Sequence, residues 1–224
     1  MVASVGQSAG WLDSGGDRSN CARSTLAVRV RHIAFEEHAS IAAFARTIAM
    51  LSALGAPADL LAETSRALSD EIVHAREAFT LARRLGAADL DPGVFPEAVA
   101  AFPPPDRVAE ELLADVIIGG CVGESLAVVE AQALREEAPP EAHAFFDRVI
   151  ADETRHAELA FTTARWLLRT SPRLAAVAAD AVDRAMDRFG VEQDSPWPTL
   201  VARLAEQNGP RAGTGRAVAA LAHG

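Results

Sequence analysis

Apolar residues recur at three- and four-residue spacing through four long stretches of the chain. That is the period of α-helices with one buried face. The first stretch opens at Ser24 or Thr25, either of which can cap a helix. It runs through LAVRVRHIAFEEHASIAAFARTIAMLSAL and stops at Gly55. Pro57 suits the first turn of a second helix, ADLLAETSRALSDEIVHAREAFTLARRL, which ends at Gly86. The following AADLDPGVFPEAVAAFPPP holds too many prolines to be one helix, yet is long enough to cross from one end of a bundle to the other. Asp106 reads as the cap of a third helix, which runs to Ala138, where Pro139 and Pro140 break it. A fourth helix extends to Thr170, and Pro172 opens a shorter fifth, amphipathic with Arg and Asp outside, that reaches Phe189.

Beyond Gly190 the pattern weakens. A short helix near 199–207 and a loose tail are expected there. The division is thus a flexible N-terminal arm (1–23), rich in Gly and Ser, a helical domain (24–189), and a partly disordered C-terminal extension (190–224). A short turn, a long crossover and a second short turn between four long helices describe an all-α crossover four-helix bundle.

The second and fourth helices carry a repeat. Residues 69–85 read SDEIVHAREAFTLARRL and residues 151–167 read ADETRHAELAFTTARWL, and ten of the seventeen positions are identical. Alanine-rich helices resemble one another by composition, but composition does not supply a shared Asp-Glu-x-x-His. The chain therefore reads as two related hairpins about a pseudo-twofold axis. Within each repeat, Glu and His three positions apart lie on one helix face: Glu71 with His74, and Glu153 with His156.

The other two helices each place one carboxylate on their apolar stripe. In the first, Glu37 falls among Val30, Ile33, Ala34, Ile41, Phe44 and Ile48, whereas Glu36 falls outside. In the third, Glu124 falls among Ile117, Cys121, Ala127 and Val128, and Glu130 lies well round the helix. His38 points about 100° from its neighbour Glu37 and is not counted with the cluster, nor is His32. Four carboxylates and two imidazoles then meet in the core. A buried unpaired carboxylate costs on the order of several kcal/mol, so such a layer needs a compensating charge, and two divalent cations supply it. A polar face open to water, or carboxylates kept neutral by raised pKa values, are the alternatives.

Composition narrows the picture. Half of the chain is hydrophobic, only 5% is aromatic, and there is no tyrosine. A net charge of −10 without a basic run argues against nucleic acid and anionic membrane as partners. The N-terminus has neither the basic start nor the apolar core of a signal peptide, and no apolar run is expected to reach the roughly 18 residues of a membrane span. The expected location is cytoplasmic. Two cysteines, Cys21 and Cys121, give no disulfide framework, and Cys121 reads as a small core residue. Gly119, Gly120 and Gly123 thin the third helix beside Glu124, for close helix packing or for a channel.

Glu, Glu-x-x-His, Glu, Glu-x-x-His on four helices resembles the ferritin-like di-iron carboxylate proteins, over roughly residues 25–170. The resemblance implies a ferritin-like bundle holding two iron ions, with manganese as the alternative metal. It implies that Glu37 and His74 bind one ion, that Glu124 and His156 bind the other, and that Glu71 and Glu153 bridge them. Asp70 and Asp152 would orient the histidines or else make surface ion pairs. The same six ligands would be the catalytic residues of a di-iron oxidase or oxygenase acting on O2 and a small organic molecule, with an electron donor as partner. The alternative is a ferroxidase of bacterioferritin or rubrerythrin type. A storage ferritin generally lacks the second Glu-x-x-His, a full rubrerythrin needs paired Cys-x-x-Cys motifs, and a tyrosyl-radical generator needs a tyrosine; the chain departs from all three. A homodimer is compatible with the sequence.

Overall fold

The computed structural model describes residues 25–87, 91–99 and 101–190. Among them are five long helices and no strand: α1 (Thr25–Ala53), α2 (Ala58–Arg84), α3 (Val108–Glu137), α4 (His143–Thr170) and α5 (Ala175–Phe189). The helix boundaries read from the sequence hold to within one turn. The N-terminal arm, the expected helix near 199–207 and the tail lie outside the described residues.

Local chemistry explains the joints. Gly55 takes φ +68°, a left-handed conformation that costs glycine little, and the chain reverses there into α2. Pro57 does not open α2 as expected but precedes it, with extended ψ, its carbonyl accepting from Leu61 N–H at 3.3 Å. Asp106 is not the cap of α3 either. A turn closed by Arg107 N–H on the Pro104 carbonyl at 2.8 Å carries the chain past it, so Arg107 stands at the boundary. Pro140–Ala142 and Pro172–Leu174 form single 3-10 turns before α4 and α5, and Gly190 at φ +62° ends α5.

The hairpins α1–α2 and α3–α4 pack so that α2 faces α4, and α5 lies along the first half of α3. The crossover follows α1: Phe95 stands 6.4 Å from the His38 ring, and Arg46 lies over Phe102 and donates to the Ala101 carbonyl at 3.2 Å. Two apolar clusters fill the bundle. One gathers Met50, Leu51, Leu112, Ile117, Phe161 and Leu167 with the inner face of α5. The other gathers Val30, Ala34, Phe79, Ala82, Leu134 and Phe146. Phe79 and Phe161, equivalent in the repeat, are both fully buried, one in each cluster. The duplicated sequence thus builds equivalent packing on either side of the Glu and His positions.

Two expectations change. First, α3 contains an apolar window long enough to cross a membrane, with mean hydropathy 1.9, although Asp115 and Glu124 interrupt the run. Half of that window is buried inside the bundle, where α3 serves as a core helix. Second, α3 is not uniformly α-helical. Val116–Gly123 is π-helical, and Glu124 N–H donates to the Gly119 carbonyl five residues back. Such wide turns are rare and recur at functional sites.

The glycines here have different reasons. A Cβ on Gly120 would lie 2.5 Å from the Ala160 Cβ of α4, so close packing of α3 on α4 requires this glycine. Gly119 has nothing within 4 Å of the corresponding point. Gly120→Ala should therefore destabilise the protein by about 1–3 kcal/mol through overpacking. Gly119→Ala should be neutral or stabilising by up to about 1 kcal/mol through helix propensity. Urea denaturation of the two variants checks the ordering, and equal effects would contradict the packing account.

Candidate metal centre

The four central helices deliver six side chains to one layer between the apolar clusters. Glu37 comes from α1, Glu71 and His74 from α2, Glu124 from α3, and Glu153 and His156 from α4. Helical spacing sets each pair: Glu71 and His74, like Glu153 and His156, are three residues apart and turn inward together. Five of the six are buried, and Glu124 is half-buried. The six residues expected to converge come together here, although Glu124 is less buried than the core position expected of it.

The donor atoms form two overlapping sets. Glu37, Glu71, His74 and Glu153 place one atom each within 4.8 Å of one another, and so do Glu71, Glu124, Glu153 and His156. Glu71 and Glu153 belong to both sets. His74 Nδ1 stands 3.1 Å from Glu153 Oε1 and 3.4 Å from Glu37 Oε2. His156 Nδ1 stands 2.9 Å from Glu71 Oε1 and 3.4 Å from Glu153 Oε2.

The opposite imidazole edges are held crosswise. His74 Nε2 bonds Asp152 Oδ2 at 2.9 Å, and His156 Nε2 bonds Asp70 Oδ2 at 3.3 Å. Each repeat's aspartate thus fixes the other repeat's histidine. Arg155 joins the two aspartates, donating to Asp70 Oδ2 at 3.3 Å and also to Asp152. Both roles foreseen for these aspartates, orienting a histidine and pairing with a cation, are therefore realised. Arg155 was not singled out from the sequence. Its signal was the i,i+3 spacing from Asp152, but its counterpart in the other repeat is Val73, so the duplication gave it no support.

With Nε2 occupied, Nδ1 of both rings points into the layer and lacks a partner of hydrogen-bond geometry, as do Glu71 Oε1 and both oxygens of Glu153. The one other buried side-chain atom in that condition among the described residues is Asp91 Oδ1. Orphaned buried polar atoms are rare in folded proteins. Their concentration on two imidazoles and two carboxylates is the chemistry of a site for cations with nitrogen and oxygen ligands. The buried Glu and His groups could hold a metal ion, and the donor set fits one.

Electrostatics agree with a layer short of positive charge. Burial, followed by the charges of Glu153, Glu37 and Glu124, pushes the Glu71 pKa well above the ordinary carboxylate range. Burial and Glu153 do the same to Glu124. Burial alone would lower His74, but its contacts with Glu153 and Glu37 outweigh that and raise it to about 11. Burial would raise Glu153, yet the contacts from His156, His74 and Glu124 hold it well below its ordinary value. The raised groups, Glu71, Glu124 and His74, therefore favour their protonated forms in the metal-free protein.

The neighbouring residues have ordinary employment. Glu130 is half-buried and pairs with Arg29 at 3.5 Å, and His32 pairs with Glu36 at 3.2 Å. Cys121 is a buried free thiol whose pKa burial drives up, as expected of a core residue, and Cys21 lies outside the described residues. On α1, Val30, Ile33, Ala34 and Glu37 are buried, but Ile41, Phe44 and Ile48 of the same stripe are only half-buried. Phe44 sets its edge against the His156 ring at 5.4 Å. Compared with protein-family models, curated proteins and solved structures, the chain matches none.

The shifted groups fix the pH response. The contribution of His74 to stability is complete below its ordinary 6.5 and is lost as pH rises toward 11. Those of Glu71 and Glu124 are complete below 4.5 and lost as pH rises through their raised values, whereas that of Glu153 is lost as pH falls below 4.5. The metal-free protein should therefore lose thermal stability from pH 4.5 upward, with His74 adding to the loss above 6.5. Added Co(II) or Zn(II) should raise Tm more as pH increases, with protons released on binding. Melting curves at stepped pH, with and without metal, check both signs. A metal-free Tm that rises through this interval would contradict the proton assignment.

Proposed function

We propose that the chain is a ferritin-like di-iron protein that uses O2 to oxidise a small organic substrate. The observation that carries this reading is the sharing of Glu71 and Glu153 between two donor sets, each completed by its own carboxylate and imidazole. That is the arrangement a pair of bridged ions requires. Glu37 and His74 would hold one iron, Glu124 and His156 the other, and Glu71 and Glu153 would bridge them. When bound, the reduced pair supplies electrons to O2.

The protein's own groups have separable tasks. Asp70, Asp152 and Arg155 hold the imidazoles with Nδ1 inward, so the metal-facing atoms are set before metal arrives. The apolar clusters on either side keep bulk water from the layer. Glu124 is the one ligand with partial access to the surface, and it follows directly on the π-helical turn where Gly119 leaves open space. Substrate approach from that side is the reading these features support. In hydroxylation a substrate C–H becomes C–OH, the second oxygen atom leaves as water, and a donor supplies two electrons and two protons.

Anaerobic loading with ferrous iron, followed by an O2 pulse monitored by absorbance and Mössbauer spectroscopy, tests the proposal. The expected result is about two irons per chain, oxidised together, since two-metal sites hold their ions about 3.5–4 Å apart. Glu124→Ala should reduce the stoichiometry toward one. Repeated turnover with mineral growing inside a large assembly would instead identify a ferroxidase, and iron that binds without consuming O2 would leave a structural role.

A further inference from the structure

A di-iron oxidase of this kind needs electrons from outside, and the fold offers a short path for them. Both imidazoles meet the surface through the same chain of groups: Nε2, the crosswise aspartate, and the Arg155 guanidinium, whose side chain is 46% exposed. Each ring reaches a partly exposed aspartate in one hydrogen bond and the Arg155 guanidinium in two. Arg155 also forms part of a surface groove of about 240 Å³ between α2 and α4. Leu60 and Leu159 give the groove an apolar floor, and Asp59, Glu63 and Glu158 line it with carboxylates.

Arg155 lies between Asp70 and Asp152, Arg66 pairs with Glu63, and Arg165 donates to the groove residue Thr162 at 3.1 Å, so three arginines stand against the five carboxylates Asp59, Glu63, Asp70, Asp152 and Glu158. The face therefore keeps an excess of negative charge around an apolar strip. It adjoins the one hydrogen-bonded route from the imidazole Nε2 atoms described above.

We propose that the α2–α4 groove is the docking face for a small, basic one-electron carrier protein, which delivers electrons through Arg155, Asp70 and Asp152 to the His74 and His156 side of the centre. This rests on the di-iron reading above. The complement to this face is a ring of Lys and Arg around an exposed, apolar cofactor edge, since charge complementarity sets encounter rate and register. Each encounter would oxidise the carrier by one electron and pass that electron to iron held by the six ligands, so two encounters would supply the two electrons that hydroxylation consumes. No bond in the protein is made or broken.

Zinc-substituted cytochrome c is a suitable probe, because its lysine ring is basic and its photoexcited porphyrin donates one electron. Iron content is measured first, then the rate at which the iron-loaded full chain quenches the excited porphyrin. Quenching should require iron and should weaken as salt is added. The double variant Glu63→Lys/Glu158→Lys should slow it by about tenfold, the scale of electrostatic steering. The charge-matched control Asp183→Lys/Asp187→Lys, on the exposed face of α5, should change it little. Equal slowing by the two double variants would mean that only net charge matters and would overturn the docking face while leaving the iron site standing. A wild-type chain that takes up no iron would overturn both.

Discussion

The structure turns on one constraint: two imidazoles whose outer nitrogens are already bonded to aspartates inside an apolar bundle. Once Asp152 holds His74 Nε2 and Asp70 holds His156 Nε2, both Nδ1 atoms must face the bundle axis. Glu71 and Glu153 face the same space, and none of these groups finds a complete partner there. Several other features follow. The apolar clusters lie above and below because the polar layer divides the core, and α2 must sit against α4 because the aspartate bonds cross between them. Arg155 bridges the two aspartates on that surface and offsets one of their two charges.

Such a layer carries a large desolvation cost, and two solutions meet it. Without metal, the raised pKa values of Glu71, Glu124 and His74 favour their protonated forms, and the lowered value of Glu153 favours its anion beside both imidazoles. With metal, the same atoms would become ligands and the protons would leave. Proton and cation would compete for one set of atoms, so metal uptake there would depend on pH. Glu124 differs from the others because it is half-buried and stands at the end of the π-helical turn.

Much of this was legible in the sequence for a physical reason. Helical period and proline placement fix the helices and their ends. The repeated Asp-Glu-x-x-His puts Glu and His on one face twice, and the apolar stripes around Glu37 and Glu124 aim those carboxylates inward. The features that escaped are those that a uniform 3.6-residue period cannot express. The π-helical turn shifts the register of α3, so Ala127, expected on the inner stripe, is only half-buried. The crosswise bonding of Asp70 and Asp152 depends on the approach of α2 and α4, and Arg155 has meaning only once those helices are side by side. The caps at Asp106 and Pro57 failed because local turns displaced the boundary by a residue or two.

The central claim is that this layer holds two cations sharing Glu71 and Glu153. Crystals of the protein grown with Mn(II) or Fe(II), measured at wavelengths on either side of the metal absorption edge, test it directly. The account predicts two anomalous peaks in each chain, about 3.5–4 Å apart, lying between the Nδ1 atoms of His74 and His156. A single peak bound by one donor set, or peaks confined to surface carboxylates with the layer still protonated, would contradict it.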